Sequence, residues 1–295
     1  MQPLLDGDVI LYEVGFSCQP KTGLLSWERC EELLENKIAL ICDEVRATQP
    51  PKIYFTNTPR INSSLNKRRK YNDEPLVEYV DNFRNAISTT GYKAGRVLEK
   101  PFYFYSLLEY MLSKYDCVIN EQGLEADDSI CIEQYSRWKL GNHDTIICSR
   151  DKDLRQCPGN HYSWECGKQA SIGPIFVDPM GELIHTNAGQ VDAQGRKVKP
   201  KIFGTGNKFF YYQLLVGDVV DTIKGAKGYG PVHAFNLLKN LKTEQECFEA
   251  VSKIYKTLYG ENWKEWCKEN ANLIWMIREL NEDGSPKLWR PPFIR

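Results

Sequence analysis

The sequence predicts an α/β fold, a central and mostly parallel sheet flanked by helices, followed by a helical C-terminal subdomain. Three observations predict it. Apolar strand-like runs alternate with amphipathic stretches: a run near the start, helix-spaced residues from Trp27 to Thr48, then Lys52 to Thr56. A connection that long between strands implies a right-handed βαβ unit and parallel pairing. Carboxylates follow the apolar runs, where open α/β sheets place their chemistry. The last third, from about residue 209, exchanges strand-like runs for aromatic and aliphatic residues at helical spacing.

The chain has 295 residues, 42% of them apolar, enough for a sizeable core. No apolar run approaches the roughly 20 residues of a membrane span, so no membrane partner is expected. The N-terminus lacks a basic region and its apolar run is broken by Asp6, Asp8 and Glu13, which argues against a secretory signal. Ten cysteines are scattered with no CxxC pair. They read as reduced thiols of a cytoplasmic protein, and their spacing supports no zinc site. Net charge is −1. Local charge says more: Lys67-Arg68-Arg69-Lys70 is a basic block, and Ala193 to Gly217 holds Arg196, Lys197, Lys199, Lys201 and Lys208 without an acid. Basic surfaces around an acidic centre suit a polyanion held while metals act on it, although basic runs are more often solvated loop faces.

In order, residues 3–16 read as a buried first strand carrying Asp6 and Asp8. Trp27, Cys30, Leu34, Ile38, Ile41 and Val45 give a core-facing helix that Pro50-Pro51 ends. Lys52 to Thr56 is the second strand. Residues 57–91 lose periodicity, and a stretch that long is functional or mobile. Lys93 and Arg96, three apart, would project from one helical turn and could grip a phosphate, with Tyr92 offering its ring to a base; a surface turn is the plainer reading. Phe102 to Tyr115 is an aromatic helix, and residues 116–122 a third strand. Glu125-Ala126-Asp127-Asp128 opens the next helix, where carboxylates also serve as dipole-stabilised caps. Thr145 to Cys148 is a fourth strand ending in Asp151 and Asp153. Residues 155–215 read as hairpins and loops. Asp218 and Asp221 have i, i+3 spacing and would share a helical face. Gly225, Gly228 and Gly230 permit a tight turn, and Pro231 suits the first turn of a helix running to Leu241, whose exposed N–H groups can hold a phosphate. Trp263 to Leu280 reads as helical, and the tail Trp289-Arg290-Pro291-Pro292 as a surface segment.

Two or three strand ends delivering acids to one sheet edge are hard to explain structurally, because like charges raise each other's pKa. A cation resolves the conflict, and an all-oxygen set suits Mg²⁺ or Mn²⁺.

Five motifs in order, LLDGD at 4–8, YKAGR at 92–96, EADD at 125–128, SRDKD at 149–153 and GDVVDTIKGAKGYGP at 217–231, resemble the bacteriophage-type 5′-to-3′ exonucleases of the flap endonuclease superfamily. The closing LWRP at 288–291 also looks like such an exonuclease. The resemblance implies a PIN-like catalytic domain over 1–208, with an arch region at 57–100 and a hairpin-rich insertion at 155–208. It implies a helix–turn–helix (helix–hairpin–helix-like) DNA-binding subdomain over 209–295. Two Mg²⁺ or Mn²⁺ ions would be held by Asp6, Glu125, Asp127, Asp128, Asp151, Asp153, Asp218 and Asp221. Lys93 and Arg96 would contact the scissile phosphate, with Tyr92 near the terminal nucleotides. Gly225, Lys227, Gly228 and Gly230 would bind the duplex backbone, with K⁺ at that turn. The implied substrate is double-stranded DNA with 5′ ends or 5′ flaps, and RNA–DNA hybrid, cut by a monomer in the cytoplasm of an infected host. Two departures stand out: Asn57 replaces a family acid, and Asp8 is an extra one. Two other readings stay open: a haloacid-dehalogenase-like phosphohydrolase with Asp6 as nucleophile, and a catalytically impaired DNA-end-binding protein.

Overall fold

β1 (Gln2–Asp6) ends at Asp6, which caps α1 (Gly7–Ser17) by accepting the Val9 N–H. The expected first strand is therefore only its first half. Val9, Ile10 and Leu11 lie on a helix, since a short apolar run has no period of its own to separate strand from buried helix. α2 (Trp27–Glu44) leads to β2 (Lys52–Phe55). The computed structural model describes residues 1–95 and 99–292, so Arg96 lies outside the described residues.

The stretch expected to lack structure contains α3 (Pro59–Tyr71), which carries the basic block, and the short α4 (Phe83–Ile87). Thr58 caps α3 and Pro59 occupies its first turn. α5 (Phe104–Lys114), β3 (Asp116–Ile119), α6 (Ala126–Lys139) and β4 (Thr145–Cys148) follow as the sequence predicts. β5 (Gly159–Ser163) and β6 (Ile172–Val177) extend the sheet, and β7 (Leu183–His185) with β8 (Ile202–Gly204) forms a separate antiparallel pair.

The sheet order is β3-β2-β1-β4-β5-β6, with all pairs parallel except β5–β6. β1 is thus interior, and β2 and β4 flank it. Alternation along the strands fills two cores. Leu5, Ile53, Phe55, Ile146 and Cys148 face α1, α2 and α5, whereas Leu4, Tyr54 and Ile147 face α6.

The C-terminal part is α7 (Gly206–Val216), α8 (Pro231–Leu238), α9 (Glu244–Tyr259) and α10 (Trp263–Ile274). α7 takes up the end of the segment expected to be hairpins and loops, and the expected boundary at 208/209 falls inside it. Its positions from Gly206 to Leu215 are all buried, so no polar stripe marks it as helical. Helix ends at Ile274 rather than continuing to Leu280. Trp275, Met276 and Ile277 run on as a buried non-helical segment whose Met276 packs with Leu4 and Tyr54. The tail lies along the surface except at its start, where Trp289 is buried against Phe210 and Phe248; Arg290 is exposed and Pro291 and Pro292 are half-buried. Among the described residues no helix is long and apolar enough to cross a membrane.

Candidate active site

The carboxyl ends of β1, β2 and β4 meet the N-terminus of α6, and a hydrogen-bond relay fixes the acids there. Asp6 Oδ2 accepts the Ser149 hydroxyl at 2.6 Å, the Ser149 Oγ accepts the Asp151 N–H at 2.9 Å, and Asp151 Oδ1 accepts the Asp153 N–H at 2.8 Å. On the other side Asp8 Oδ2 accepts the Thr56 N–H at 3.1 Å, and the Thr56 Oγ1 accepts the Ala126 N–H at 2.9 Å. Thr56 therefore ties α1 to the start of α6. Gly7 makes this approach possible, since a Cβ there would sit 2.3 Å from the Phe55 ring.

These acids are crowded. Burial pushes the Asp6 carboxyl up to about 7, with Asp8 and Asp151 adding repulsion. Burial and then Glu125 raise Asp8 to about 6. Asp127 is pushed well above the usual carboxylate range by burial and by Asp6, Asp151 and Glu125. Burial, Asp151 and Asp218 raise Asp153 to about 6.

Two lysines border the centre. Lys93 Nζ lies 2.6 Å from Glu125 Oε1. Burial pushes Glu125 up, but Lys93 and Arg84 overcome it and hold the carboxyl below its ordinary value. Lys152 Nζ bridges Asp218 at 2.7 Å and Asp153 at 3.1 Å, and Gln213 donates to Asp153 at 2.6 Å. Asp218 and Asp221 do not share a helical face. They belong to a tight turn in which Asp218 and Ile223 exchange backbone hydrogen bonds and Asp218 Oδ1 accepts the Val220 N–H. Gly217, at φ +74°, sets that turn: a Cβ would meet the Ile223 carbonyl at 2.3 Å.

Three further expectations change. Asp128 is fully buried and its oxygens are taken: Arg84 donates to both at 2.6 and 2.8 Å, Ile277 N–H to one and Glu125 N–H to the other. It faces a guanidinium rather than the space beside Asp127. Tyr92 offers no ring to a base; it is buried with Leu124 and Phe210, its hydroxyl donating to Glu125 at 3.0 Å. Lys93 sits at φ +55°, not in a helical turn, and its N–H donates to the Asp221 carbonyl.

Sequence reasoning missed Arg84, Thr56, Ser149 and Gln213. Ser149, two residues before Asp151, carried a readable turn signal; Arg84 carried none.

The donor set is all oxygen and self-repelling, which fits a hard divalent cation. Among the described residues no three acid, His or Cys side chains converge on one point closely enough to chelate an ion. Fit therefore rests on donor chemistry and charge, with Lys93 and Lys152 supplying the present counter-charge.

Gly225, Lys227, Gly228 and Gly230 form the connection into α8. Gly225 packs on Gly217 and its carbonyl accepts the Tyr259 hydroxyl at 3.2 Å, while Lys227, Gly228 and Gly230 are exposed.

No family model matches the chain. Over 143 residues it is 31% identical to a 5′-3′ exonuclease of Mycoplasma pneumoniae, covering 48% of the chain and 43% of the relative. Over 149 residues it is 30% identical to a 5′-3′ exonuclease of Aquifex aeolicus, covering 50% and 39%. The chain thus spans less than half the length of these curated relatives. A solved T5 5′-exonuclease with zinc bound shares the fold at a TM-score of 0.59 and 13% identity, over 93% of this chain and 89% of that one. The chain is thus similar over about half its length to bacterial 5′-3′ exonucleases, and it shares its fold with a solved T5 5′-exonuclease.

Proposed function

We propose that the chain is a divalent-metal-dependent 5′-to-3′ exonuclease and structure-specific 5′-flap endonuclease that hydrolyses DNA phosphodiesters. The observation that carries this is the crowding of Asp6, Asp8, Asp127, Asp151 and Asp153 at one sheet edge, where burial and mutual repulsion raise the carboxyls of Asp6, Asp8, Asp127 and Asp153. No structural need explains that arrangement, and a bound cation would relieve it. Asp6, Glu125, Asp127, Asp151, Asp153, Asp218 and Asp221 would hold two Mg²⁺ or Mn²⁺ ions, directly or through water. Such ions supply a water of lowered pKa and stabilise the leaving oxygen.

The chain's own groups do the rest. Lys93 brings a buried-edge ammonium that can leave Glu125 for a phosphate oxygen, with Arg96 as its expected companion. Asp128 and Arg84 position Glu125 and Asp127. The glycine turn with Lys227 offers N–H groups and charge to the duplex backbone, with K⁺ as its expected partner. Asp6 has one oxygen on Ser149 and the other on the Val9 N–H, which argues against a nucleophilic Asp6. Products would carry 5′-phosphates. The name of the bacterial relatives, 5′-3′ exonuclease, and the five motifs support nuclease action; DNA as substrate, a phage replication and recombination setting, and action as a monomer in the host cytoplasm belong to the same proposal. Activity on RNA–DNA hybrid belongs to the same reading.

The test is cleavage of a 5′-labelled duplex and a 5′-flap duplex with Mg²⁺, Mn²⁺ or EDTA, alongside Asp127→Ala. Metal-dependent release of short 5′ products, lost in the variant, is expected. No cleavage under any metal, with duplex binding intact, would leave a DNA-end-binding protein.

A further inference from the structure

The hairpin closed by β7 and β8 has no place in the acidic centre, yet both ends of its base are clamped. Gly204 lies flat on Phe209, where a Cβ would sit 2.1 Å from the ring. His185 packs edge-on against Phe235 of α8, the ring centroids 5.7 Å apart. Arg155, two residues beyond Asp153, stacks over Phe203 of β8 at 4.6 Å. The hairpin is thus fixed both to the helix that follows the glycine turn and to the loop that carries Asp153.

Beyond its base the two arms stay paired. Thr186 N–H donates to the Lys201 carbonyl, Asn187 accepts the Lys201 N–H at 2.7 Å and donates to the Lys199 carbonyl at 2.8 Å, and Val191 bridges Lys197. At the tip Asp192 accepts the Gln194 and Arg196 N–H groups and pairs with the Arg196 guanidinium at 2.8 Å. That uses the acid of the hairpin tip. Lys197, Lys199 and Lys201 are exposed, while Val198, Pro200 and Ile202 between them are half-buried. Alternation places the three ammonium groups on one face. Among the described residues no carboxylate lies in ion-pair range of them. Every second residue of an extended arm advances roughly 6.7 Å, about twice the 3.4 Å rise per phosphate of one DNA strand.

We propose that this hairpin is an arm that grips the phosphate backbone of duplex DNA, adding a contact beyond the glycine turn. The proposal rests on the nuclease reading for its choice of polyanion. Between β7 and the Asp192 tip one side of the arm turns at residues 186–189, and the other carries Lys197 to Lys201 back to β8. Its lysines contact phosphates, so the arm contributes affinity without reading sequence.

The test is duplex binding in EDTA across a salt series, for the wild-type protein, for the triple variant Lys197→Ser, Lys199→Ser, Lys201→Ser, and for the triple Lys→Arg variant. The Ser variant is expected to bind roughly tenfold or more weaker near physiological salt, and its plot of log affinity against log salt to be shallower by roughly 2 to 3. The Arg variant is expected to match wild type. An unchanged slope in the Ser variant, or a wild-type protein that fails to bind duplex, overturns the arm. Single-turnover cleavage by wild type at saturating DNA, run in parallel, reports the nuclease reading separately. Cleavage with an unchanged slope sinks the arm alone, and a changed slope without cleavage sinks the nuclease alone.

Discussion

Asp127 and Asp128 are neighbours on the first turn of α6, and their surroundings are opposite. Asp128 meets a guanidinium buried with it, accepts two backbone N–H groups and ties α6 to α4 and to the segment after α10. Burial pushes the Asp127 carboxyl up, and repulsion from Asp6, Asp151 and Glu125 adds to it. One side of the helix end is satisfied and holds the fold together. The other is frustrated, which costs stability without a cation. Adjacent carboxylates therefore divide between architecture and chemistry according to what surrounds them, and their identity alone does not say which is which.

The largest expected effect lies on the satisfied side. Arg84→Ala would leave Asp128 buried without its counter-charge and strip donors from the Leu273 and Trp275 carbonyls. A loss of about 3–5 kcal/mol is expected in urea denaturation, with Arg84→Lys recovering only part because it lacks the two-pronged geometry. A loss below about 1 kcal/mol would show that the pair is not what anchors this end of α6.

Next comes His161, buried outside the centre, whose ring nitrogen shares a hydrogen bond with the Cys157 carbonyl. Burial holds its pKa at about 4, below the ordinary 6.5. The unfolded chain binds a proton below pH 6.5 that the folded chain refuses until about pH 4, so stability falls as pH falls through that window, by up to about 3 kcal/mol. Denaturation of His161→Gln against wild type across pH 7 to about 4 isolates this share: the variant should lose less stability. Parallel slopes would assign acid sensitivity to other groups.

Smallest in size, and opposite in sign, is the frustrated side. Asp127→Asn removes a carboxyl whose charge burial and its neighbours resist, so in EDTA near pH 8 it is expected to raise the stability of the fold slightly, and in Mg²⁺ or Mn²⁺ to remove cleavage. Destabilisation there would mean that Asp127 is satisfied in a way its neighbours do not indicate.

The strands with flanking turn signals were legible: Lys52 to Phe55 and Thr145 to Cys148 lie where expected, as do the acids that follow Cys148 and open α6. Elements hidden by uniform burial were not. Val9-Ile10-Leu11 and the whole of α7 lack a polar stripe, so nothing local separates helix from strand there. α3 is polar around most of its surface and its core contacts are few, yet Thr58-Pro59 was a start signal that its Asn and Ser content obscured. At the site, Asp6 follows from a strand end and Asp127 from a helix start. The Arg84–Asp128 pair joins residues 44 apart in sequence, and no spacing rule reaches that far. Tyr92 shows the same limit, since a ring beside Lys93 reads as a binding surface until the fold buries it.

The most direct test of the division between the two sides is a set of thermal melts of wild type, Asp127→Asn and Asp128→Asn, each in EDTA and in Mn²⁺. Mn²⁺ is expected to raise the melting temperature of wild type by mass action. Asp127→Asn should start higher in EDTA and lose most of the Mn²⁺ response. Asp128→Asn should start lower and keep it. Equal Mn²⁺ responses in wild type and Asp127→Asn, or a lowered EDTA melting temperature for Asp127→Asn, would contradict the account.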